Sequence, residues 1–522
     1  MKEFNTTGIC YPDEHYMVDI SNRLADIERR VAKGEYITIN RGRQYGKTTT
    51  LYHLTNTLMK NYVVFSISFE SMPGSNFETD DKLAYAFLKQ IKSAVEFENI
   101  NFVDDFVRDS IYKICNANYD KEAVKFNELS DFIVNICRNS TKPIVLLIDE
   151  VDNASNYESF INLLRMLRNK YLNRKKLPTF QSVILAGVYD IKNLKLKVRP
   201  DSDHQYNSPW NIAVSYTADM SLSTDGINQM LQEYESDHHT RMDTAAIAQM
   251  ITDYTSGYPF FVSRTCQLID EHKYPWNKEG IQNGVKLLLR EKNPFFDDLL
   301  KKLDDFAEIN TLLKDILLYG NSVSYNIDNK FLNLAAMFNY IREENGKVKI
   351  FNRIIETRLY NKFMSDEEIT NVLYKQGDTD RSQFIDGKTL KMDKILEKFA
   401  LHFNDIYGNN ELTFKEEEGR RFFMLYIRPI INGTGNYYIE AQTRDRSRTD
   451  MIIDYNGQQF IIEMKIWRGD SYNERGEQQL FEYLDYYHAD KGYLLSFCFN
   501  KQSKPEAKTI SLGGKEIVEV VV

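Results

Sequence analysis

Cysteine is scarce and scattered in this chain. Its five residues, Cys10, Cys115, Cys137, Cys266 and Cys498, form no CxxC pair and no Cys/His cluster. That excludes a disulfide framework or a structural zinc site and fits a reducing compartment. Long apolar runs are also lacking, and the opening MKEFNTTGIC has no apolar signal core, so no membrane span or signal peptide is expected. The expectation is a cytoplasmic protein without a membrane partner. Positive charge is not in excess either: the net charge is −9 and the pI ≈ 5.6. A general nucleic-acid-coating role is thereby disfavoured, leaving room only for a localised basic cleft. Internal repeats and low-complexity tracts are missing too.

The chain does have length. Its 522 residues, 42% hydrophobic and 27% charged, suit roughly two to four globular domains. Residues 1–35 read as largely helical, with Val18, Ile20, Leu24, Ile27 and Val31 as the buried stripe. Strands are predicted at Tyr36–Asn40, Val63–Phe69, Pro143–Ile148 and Ser182–Ala186, alternating with helices at Lys47–Lys60, 80–138 and 157–171. The continuous apolar run before Asp149 marks a parallel strand covered on both faces. This alternation predicts an α/β domain over 1–220. Residues 221–295 read as a helical lid. Residues 296–365, with a hairpin turning at Asn345-Gly346, read as a winged helix; its helix 325–340 offers mainly Lys330, so a structural lid is favoured over a DNA reader. The polar stretch 366–389 reads as a linker before a last domain, 390–522.

Two segments carry chemistry. In ITINRGRQYGKTTTL a strand runs into a loop ending Gly46-Lys47-Thr48 and then a helix. This is the context in which backbone N–H groups and a helix N-terminus receive phosphates. Arg43, Gln44, Tyr45, Gly46, Lys47, Thr48 and Thr49 are the candidate nucleotide-binding residues. Lys47 would reach the β/γ-phosphates, and Thr48, with Asp149 at the end of IVLLIDE, would ligate Mg²⁺. Glu150 is placed to polarise the attacking water. Where the common pattern has its first glycine, Arg41 stands.

The second segment is RTDMIIDYNGQQFIIEMKIW, 448–467. Asn456-Gly457 is a strong type I′ hairpin signal. Its two-residue turn sets Tyr455 opposite Gln458 and Asp450 opposite Glu463, on one face with Cβ atoms about 5 Å apart. Lys465 shares that face, and Arg448, opposite Lys465, becomes a candidate phosphate contact. Met451, Ile453, Phe460, Ile462, Met464 and Ile466 fill the other face. Clustered carboxylates suit a divalent metal; the bland reading is an exposed charged hairpin. Glu417 and Glu418 precede it as candidate further acids. Gln479 and Tyr483 follow it on one helical face, beside an apolar stripe of Leu480, Leu484 and Tyr487. A strand at Gly492–Phe499 closes the unit.

The run Arg41-Gly-Arg43-Gln-Tyr45-Gly46-Lys47-Thr48 resembles the R-x-R-x-[FY]-G-K-[ST] loop of the bacterial and archaeal AAA-ATPase-like family, which also lacks the first glycine. His15-Tyr-Met-Val-Asp19 is similar to its lead-in, Ser182–Asp190 to its sensor-1 strand, and Gly257-Tyr258-Pro259 to the GxP turn of related signalling ATPases. Arg199 and Arg264 are the arginine-finger candidates. The order helix, hairpin, helix, strand resembles the PD-(D/E)XK nuclease fold of the RecB-like branch. Arg448-Thr-Asp450 is similar to its acid motif, with Ser447 in place of glycine; Glu463-Met464-Lys465 is similar to ExK, and Gln479–Tyr483 to QxxxY.

The resemblance implies a P-loop NTPase of AAA/STAND type with helical lid and winged helix, followed by an α/β nuclease-like domain. It implies ATP and Mg²⁺ or Mn²⁺ as cofactors and DNA or RNA as partner, and leaves homo-oligomerisation open. Asp450, Glu463 and the Met464 carbonyl would hold the metal, Lys465 would orient water or stabilise phosphorane charge, and Gln479, Tyr483 and Arg448 would position nucleic acid. The rival reading is a signalling or scaffold ATPase whose nuclease-like domain only binds nucleic acid or is inactive. A transcriptional regulator is disfavoured by the weakly basic winged helix.

Overall fold

The structure, a computed structural model, describes the chain except residues 1, 98–102, 189–209, 217–218, 319–320, 369–370, 408–415, 433, 443–447, 467–469 and 499–505. Its contacts divide it into two compact units: Asn5–Ser221, and Leu222–Val522 together with Met1–Phe4.

The Asn5–Ser221 unit is a parallel sheet wrapped by helices. Its strands are β1 (Ile37–Asn40), β2 (Val63–Ser68), β3 (Ile144–Asp149), β4 (Ser182–Gly187) and β5 (Val214–Ser215). They lie in the order β2-β3-β4-β1-β5, with every pair parallel. Every residue of β3 and β4 is buried, because helices cover both faces. The helices are α1 (Ser21–Ala32), α2 (Lys47–Leu58), α3 (Asp80–Phe97), α4 (Asp105–Ala117), α5 (Phe126–Asn139) and α6 (Glu158–Leu172). One core runs from Phe65 and Phe69 through Leu88, Leu146 and Leu164 to Trp210. The expected strand–helix alternation is present. Residues 1–35 are less helical than expected. The Asp19 carboxylate accepts the Ser21 N–H at 2.9 Å, an Asx turn that delays the helix to Ser21. Leu24, Ile27 and Val31 form its buried face, and Val18 is buried from outside the helix.

The Leu222–Val522 unit opens with α7 (Thr224–His238), α8 (Thr244–Thr255), α9 (Pro259–Glu271), α10 (Lys278–Arg290), α11 (Pro294–Asp305), α12 (Ala307–Leu317) and α13 (Lys330–Met337). Hairpin β6 (Ile341–Glu344) and β7 (Lys347–Ile350) follows, then α14 (Arg353–Glu368). The Asn345-Gly346 turn has φ of 53° and 76°, the left-handed pair a type I′ turn needs. The stretch expected as a linker is folded: it holds the end of α14, then α15 (Val372–Phe384) and the small hairpin β8 (Ile385–Asp386) and β9 (Thr389–Leu390). The reason is a narrow buried stripe, Leu373, Gly377, Asp380 and Phe384, whose glycine and aspartate conceal it from a hydropathy reading.

Next come α16 (Met392–Tyr407), α17 (Glu416–Ile431), β10 (Gly435–Gln442), β11 (Arg448–Tyr455), β12 (Gln458–Ile466), α18 (Asp470–Tyr486), β13 (Lys491–Phe497), β14 (Glu506–Leu512) and β15 (Lys515–Val521). The sheet order is β10-β11-β12-β13-β15-β14. The pairs β12–β13 and β13–β15 are parallel; the others are antiparallel. Helix–hairpin–helix–strand is thus present, with β10 and the edge pair β14–β15 added. On one face, α18 buries Leu480, Tyr483 and Leu484 against Ile461, Leu494 and Ile517. Each such fully buried side chain contributes about 1.5–3 kcal/mol.

Candidate functional site

In the Asn5–Ser221 unit, β1 delivers the chain into the loop 41–46. The Arg41 N–H donates to the Gly187 carbonyl at 3.1 Å, so Arg41 still continues the β1–β4 ladder. Positive φ occurs at Gln44 (54°) and Gly46 (77°), and not at Arg41. That is why arginine is tolerated where the common loop has glycine: the left-handed backbone is needed further on. The Thr50 hydroxyl donates to the Gly46 carbonyl at 2.8 Å. No side chain caps the α2 N-terminus, so its first N–H groups suit an anion.

The Lys47 side chain is buried, and its ammonium donates to the carbonyls of Arg41 and Gly42, each at 3.0 Å. Burial pulls its pKa below the ordinary lysine value, opposed by Glu150, Asp149 and Asp152. The Thr48 hydroxyl donates to Asp149 Oδ2 at 2.7 Å, while Asp149 Oδ1 accepts the Glu150 N–H at 2.9 Å. A hydroxyl and a carboxylate brought together are hard oxygen donors, so these residues fit Mg²⁺. Glu150 holds a left-handed backbone, φ 52°, a strained conformation typical of functional positions. Burial raises its pKa; Lys47 opposes this and Asp149 and Asp152 reinforce it.

The other loop candidates separate. Arg43 and Gln44 are exposed. Thr49 accepts the Cys10 N–H at 3.3 Å. Tyr45 is buried, with its hydroxyl 2.6 Å from the Ser221 hydroxyl, so only its main chain can line the loop. Three contributors went unread. Arg23 donates to Thr50 Oγ1 at 3.3 Å and to the Met220 carbonyl at 2.8 Å. The Asp152 carboxylate accepts the Val188 N–H. A Cβ on Gly187 would lie 2.9 Å from Val151 and 3.0 Å from Asp152. The second acid in IDEVD was the available signal for Asp152. Tyr189, Asp190 and Arg199 lie outside the described residues.

In the Leu222–Val522 unit, Ser256 and Gly257 both have positive φ and Pro259 opens α9. A Cβ on Gly257 would lie 2.2 Å from the Leu222 carbonyl oxygen, so only glycine fits this turn. Arg264 is held by Glu291 at 2.5 Å and Glu271 at 3.4 Å.

The second candidate site lies on the α18-covered sheet face. Asn456 and Gly457 have φ of 48° and 79°. The described pairs run from Tyr455↔Gln458 to Met451↔Ile462, the register the turn predicts. Asp450 is the next residue in β11; its side chain, like those of Arg448 and Glu417, lies outside the described residues. Glu463 is fully buried and meets the Lys465 ammonium at 2.8 Å. An exposed charged hairpin is therefore not what the chain builds here. Met464 is buried on the opposite face with Met451, Ile453 and Ile462, whereas Phe460 and Ile466 are half-buried. Glu418 is half-buried at the start of α17.

Helix α18 shapes the site from above. A Cβ on Gly476 would meet Lys465 Cγ at 3.2 Å, so the lysine stem lies along a glycine. Gln479 Nε2 donates to the hydroxyl of buried Tyr483. Two strands away, Glu519 is buried, accepts the Ser496 hydroxyl at 3.0 Å and pairs with Lys508 at 2.7 Å. Glu519 was not foreseen: its strand lies past the recognised motifs. Among the described residues no group of three His, Cys, Asp or Glu side chains stands ready to hold a metal. Buried Glu463 supplies one hard carboxylate, which fits a divalent metal completed by a neighbouring acid. No helix among the described residues is long and apolar enough to cross a membrane.

Comparison with known proteins bears on the first site. A family model described as an AAA-like domain matches residues 16–360. An uncharacterised ATP-binding protein of Pyrococcus horikoshii is 24% identical over 277 residues, covering 51% of this chain and 76% of that protein. Among solved structures, the Walker-type ATPase of Pyrococcus abyssi is similar with a TM-score of 0.46 and 14% identity, over 68% of this chain and 99% of that one. The Aeropyrum pernix ORC2 protein is similar with a TM-score of 0.38 and 10% identity, over 69% and 98%. With its phosphate-type loop on a parallel α/β sheet and a family match across 16–360, the chain belongs to the AAA-like domain family of P-loop ATPase-type proteins.

Proposed function

We propose that this protein is an ATP-binding and ATP-hydrolysing P-loop protein that controls a metal-dependent phosphodiesterase in its C-terminal part, acting on DNA or RNA. The observation that carries the second half is the buried Glu463–Lys465 pair at 2.8 Å in an ExK spacing, on the strand paired with β11, whose residues include Asp450. Burying such a pair is costly without a purpose.

At the first site, the α2 N-terminus and Lys47 receive the phosphates, and Thr48 and Asp149 supply oxygens for Mg²⁺. Glu150 takes the proton of the attacking water, helped by the raised pKa that burial gives it. A metal at either site would supply charge neutralisation and a more acidic water. At the second, Asp450, Glu463 and the Met464 carbonyl would hold that metal, and Lys465 would orient the water or stabilise the developing phosphoryl charge. Gln479, held in place by the hydroxyl of buried Tyr483, and Arg448 position the nucleic-acid backbone. The layout proposed with it is a C-terminal domain near 390–522 after a winged-helix-like segment at 296–365, in a cytoplasmic setting.

The test is cleavage of single- and double-stranded DNA and RNA with Mg²⁺ or Mn²⁺, with and without ATP. Cleavage by the wild type and none by Asp450→Ala is expected. Identical behaviour of the two on every substrate sinks the nuclease half and leaves a scaffold ATPase. Normal ATP binding by Lys47→Ala sinks the ATPase half.

A further inference from the structure

The same sheet face that holds Glu463 also holds a carboxylate with no place in the chemistry above. Asp454 lies on β11, opposite Gln459, and is buried to 4% exposure. It lies four residues, or about 13 Å, along the strand from Asp450. Three side chains donate to it. Two come from the lid helices: the Tyr254 hydroxyl at the end of α8, 2.7 Å from Oδ2, and Gln282 Nε2 of α10, 2.8 Å from Oδ1. The third is Gln459 Nε2, 3.0 Å from Oδ1. Burial raises the Asp454 pKa, while Tyr254, Gln459, Lys278 and Arg353 oppose the rise.

A second contact ties the lid to α18. The guanidinium of buried Arg353, at the start of α14, lies 5.5 Å from the Tyr254 ring and 5.8 Å from the Tyr487 ring. It also donates to the Tyr487 hydroxyl at 2.7 Å. The Tyr486 hydroxyl donates to Asp253 at 3.2 Å, one residue before Tyr254. Asp253 and Tyr254 therefore reach both β11, which carries Asp450, and the end of α18, which carries Gln479 and Tyr483.

We propose that this buried polar joint, Asp454 with Tyr254, Gln282 and the Arg353–Tyr487 pair, couples the lid helices to the two elements of the candidate metal site. Displacing α8 shifts the partners of β11 and α18 together, so the seating of the lid helices sets how firmly the site is assembled. Polar contacts serve this purpose better than apolar ones. A buried carboxylate that loses a donor is left undercompensated, so intermediate positions are penalised and the joint favours one seating. This inference rests on the nucleotide-controlled nuclease reading, and its test separates the two.

The experiment measures backbone amide exchange of the full chain, with and without the slowly hydrolysed analogue ATPγS, at residues 448–455 and 470–486. The variants are Tyr254→Phe, the double variant Tyr254→Phe/Gln282→Ala, and Asp454→Asn as a shape-preserving check. The wild type is expected to change protection at both segments by about fivefold or more on nucleotide addition, within the range of ordinary allosteric coupling. Tyr254→Phe weakens that change and the double variant abolishes it, with ATPγS affinity unchanged. A wild type without the change, or a double variant that keeps it, overturns the joint. If the double variant misfolds by circular dichroism, Tyr254→Phe alone decides by the same criterion. Exchange coupling without cleavage of any substrate leaves the joint standing and counts against the nuclease reading.

Discussion

At Glu150 the backbone and the electrostatics point the same way. Its left-handed φ of 52° turns the chain immediately after β3, and burial, with Asp149 and Asp152, raises its carboxyl pKa against the pull of Lys47. The ionised form is the useful one for a base, so ATP hydrolysis is expected to fall on its acid side at a pH above the ordinary glutamate range. A pH profile of the hydrolysis rate checks this, and an acid limb at or below the ordinary value speaks against the assignment. The stability linkage has the matching sign. The folded state binds this proton more tightly than the unfolded one, so Glu150 weakens folding as pH rises from the ordinary value through the raised one. Glu150→Gln should therefore keep ATP binding and lose none of the melting temperature at neutral pH, while hydrolysis drops about 10²–10⁴-fold. At the second site a substitution is costly. Lys465→Ala leaves fully buried Glu463 without the ammonium at 2.8 Å, a loss of about 3–5 kcal/mol for a broken buried pair. A melt unchanged from wild type would show that the pair is not buried in solution. The placement of Lys47 and Thr48 at the loop-to-helix junction was legible because a Gly-Lys-Thr spacing is local chemistry. The inward turn of Tyr45 was not, because its partner Ser221 lies 176 residues away.

Elements show the same division between local and distant causes. The registers of both Asn-Gly hairpins were readable, since two residues of left-handed backbone fix everything opposite them. The Gly513-Gly514 turn, with φ of 56° and 83°, joins β14 to β15 and carried an equally readable signal that was overlooked. Helix α15 was readable only from its partner. Its Asp380 is buried, accepting from Tyr426 of α17 at 2.9 Å and lying 2.7 Å from His402 of α16. A Cβ on Gly377 would stand 2.1 Å from the Tyr426 carbonyl oxygen and 3.0 Å from Pro429. Backbone blocks it on the nearest side, and a backbone oxygen has no rotamer with which to retreat. The glycine and the aspartate that make the stretch look like a linker are thus what let three helices meet. Gly377→Ala is expected to lower stability by about 1–3 kcal/mol, as overpacking does, seen as a lower melting temperature in calorimetry. An unchanged melt would mean that α15 does not pack on α17.

At the scale of the molecule, the phosphate-type loop belongs to one unit and the Glu463–Lys465 lane to the other. The second of these is larger than the C-terminal domain expected from the sequence. Residues 390–522 reach back to α10 and α14 through polar contacts as well as apolar ones. Lys286 donates to the Thr434 carbonyl at 2.6 Å, Thr357 to the Tyr437 carbonyl at 3.3 Å, and the Tyr437 hydroxyl to Asn361 at 3.1 Å. A sequence reading that divides the chain by composition sees none of these, because each partner lies 70 or more residues away. Cutting at 390 would leave Asp454 with Gln459 as its only remaining donor of three. Each lost donor to a buried charged group costs about 1–3 kcal/mol, on top of the exposed apolar face of β10 where Tyr437 is buried. A stability of about 5–15 kcal/mol for an ordinary domain absorbs little of that. The fragment 390–522 is therefore expected to bind a hydrophobic dye and melt without a sharp transition, whereas 222–522 melts cooperatively and leaves the dye dark. A sharp, dye-free melt of 390–522 at the temperature of the longer piece would show that the helices from 222 to 365 are dispensable to this sheet, and that the Asp454 contacts contribute little to holding it.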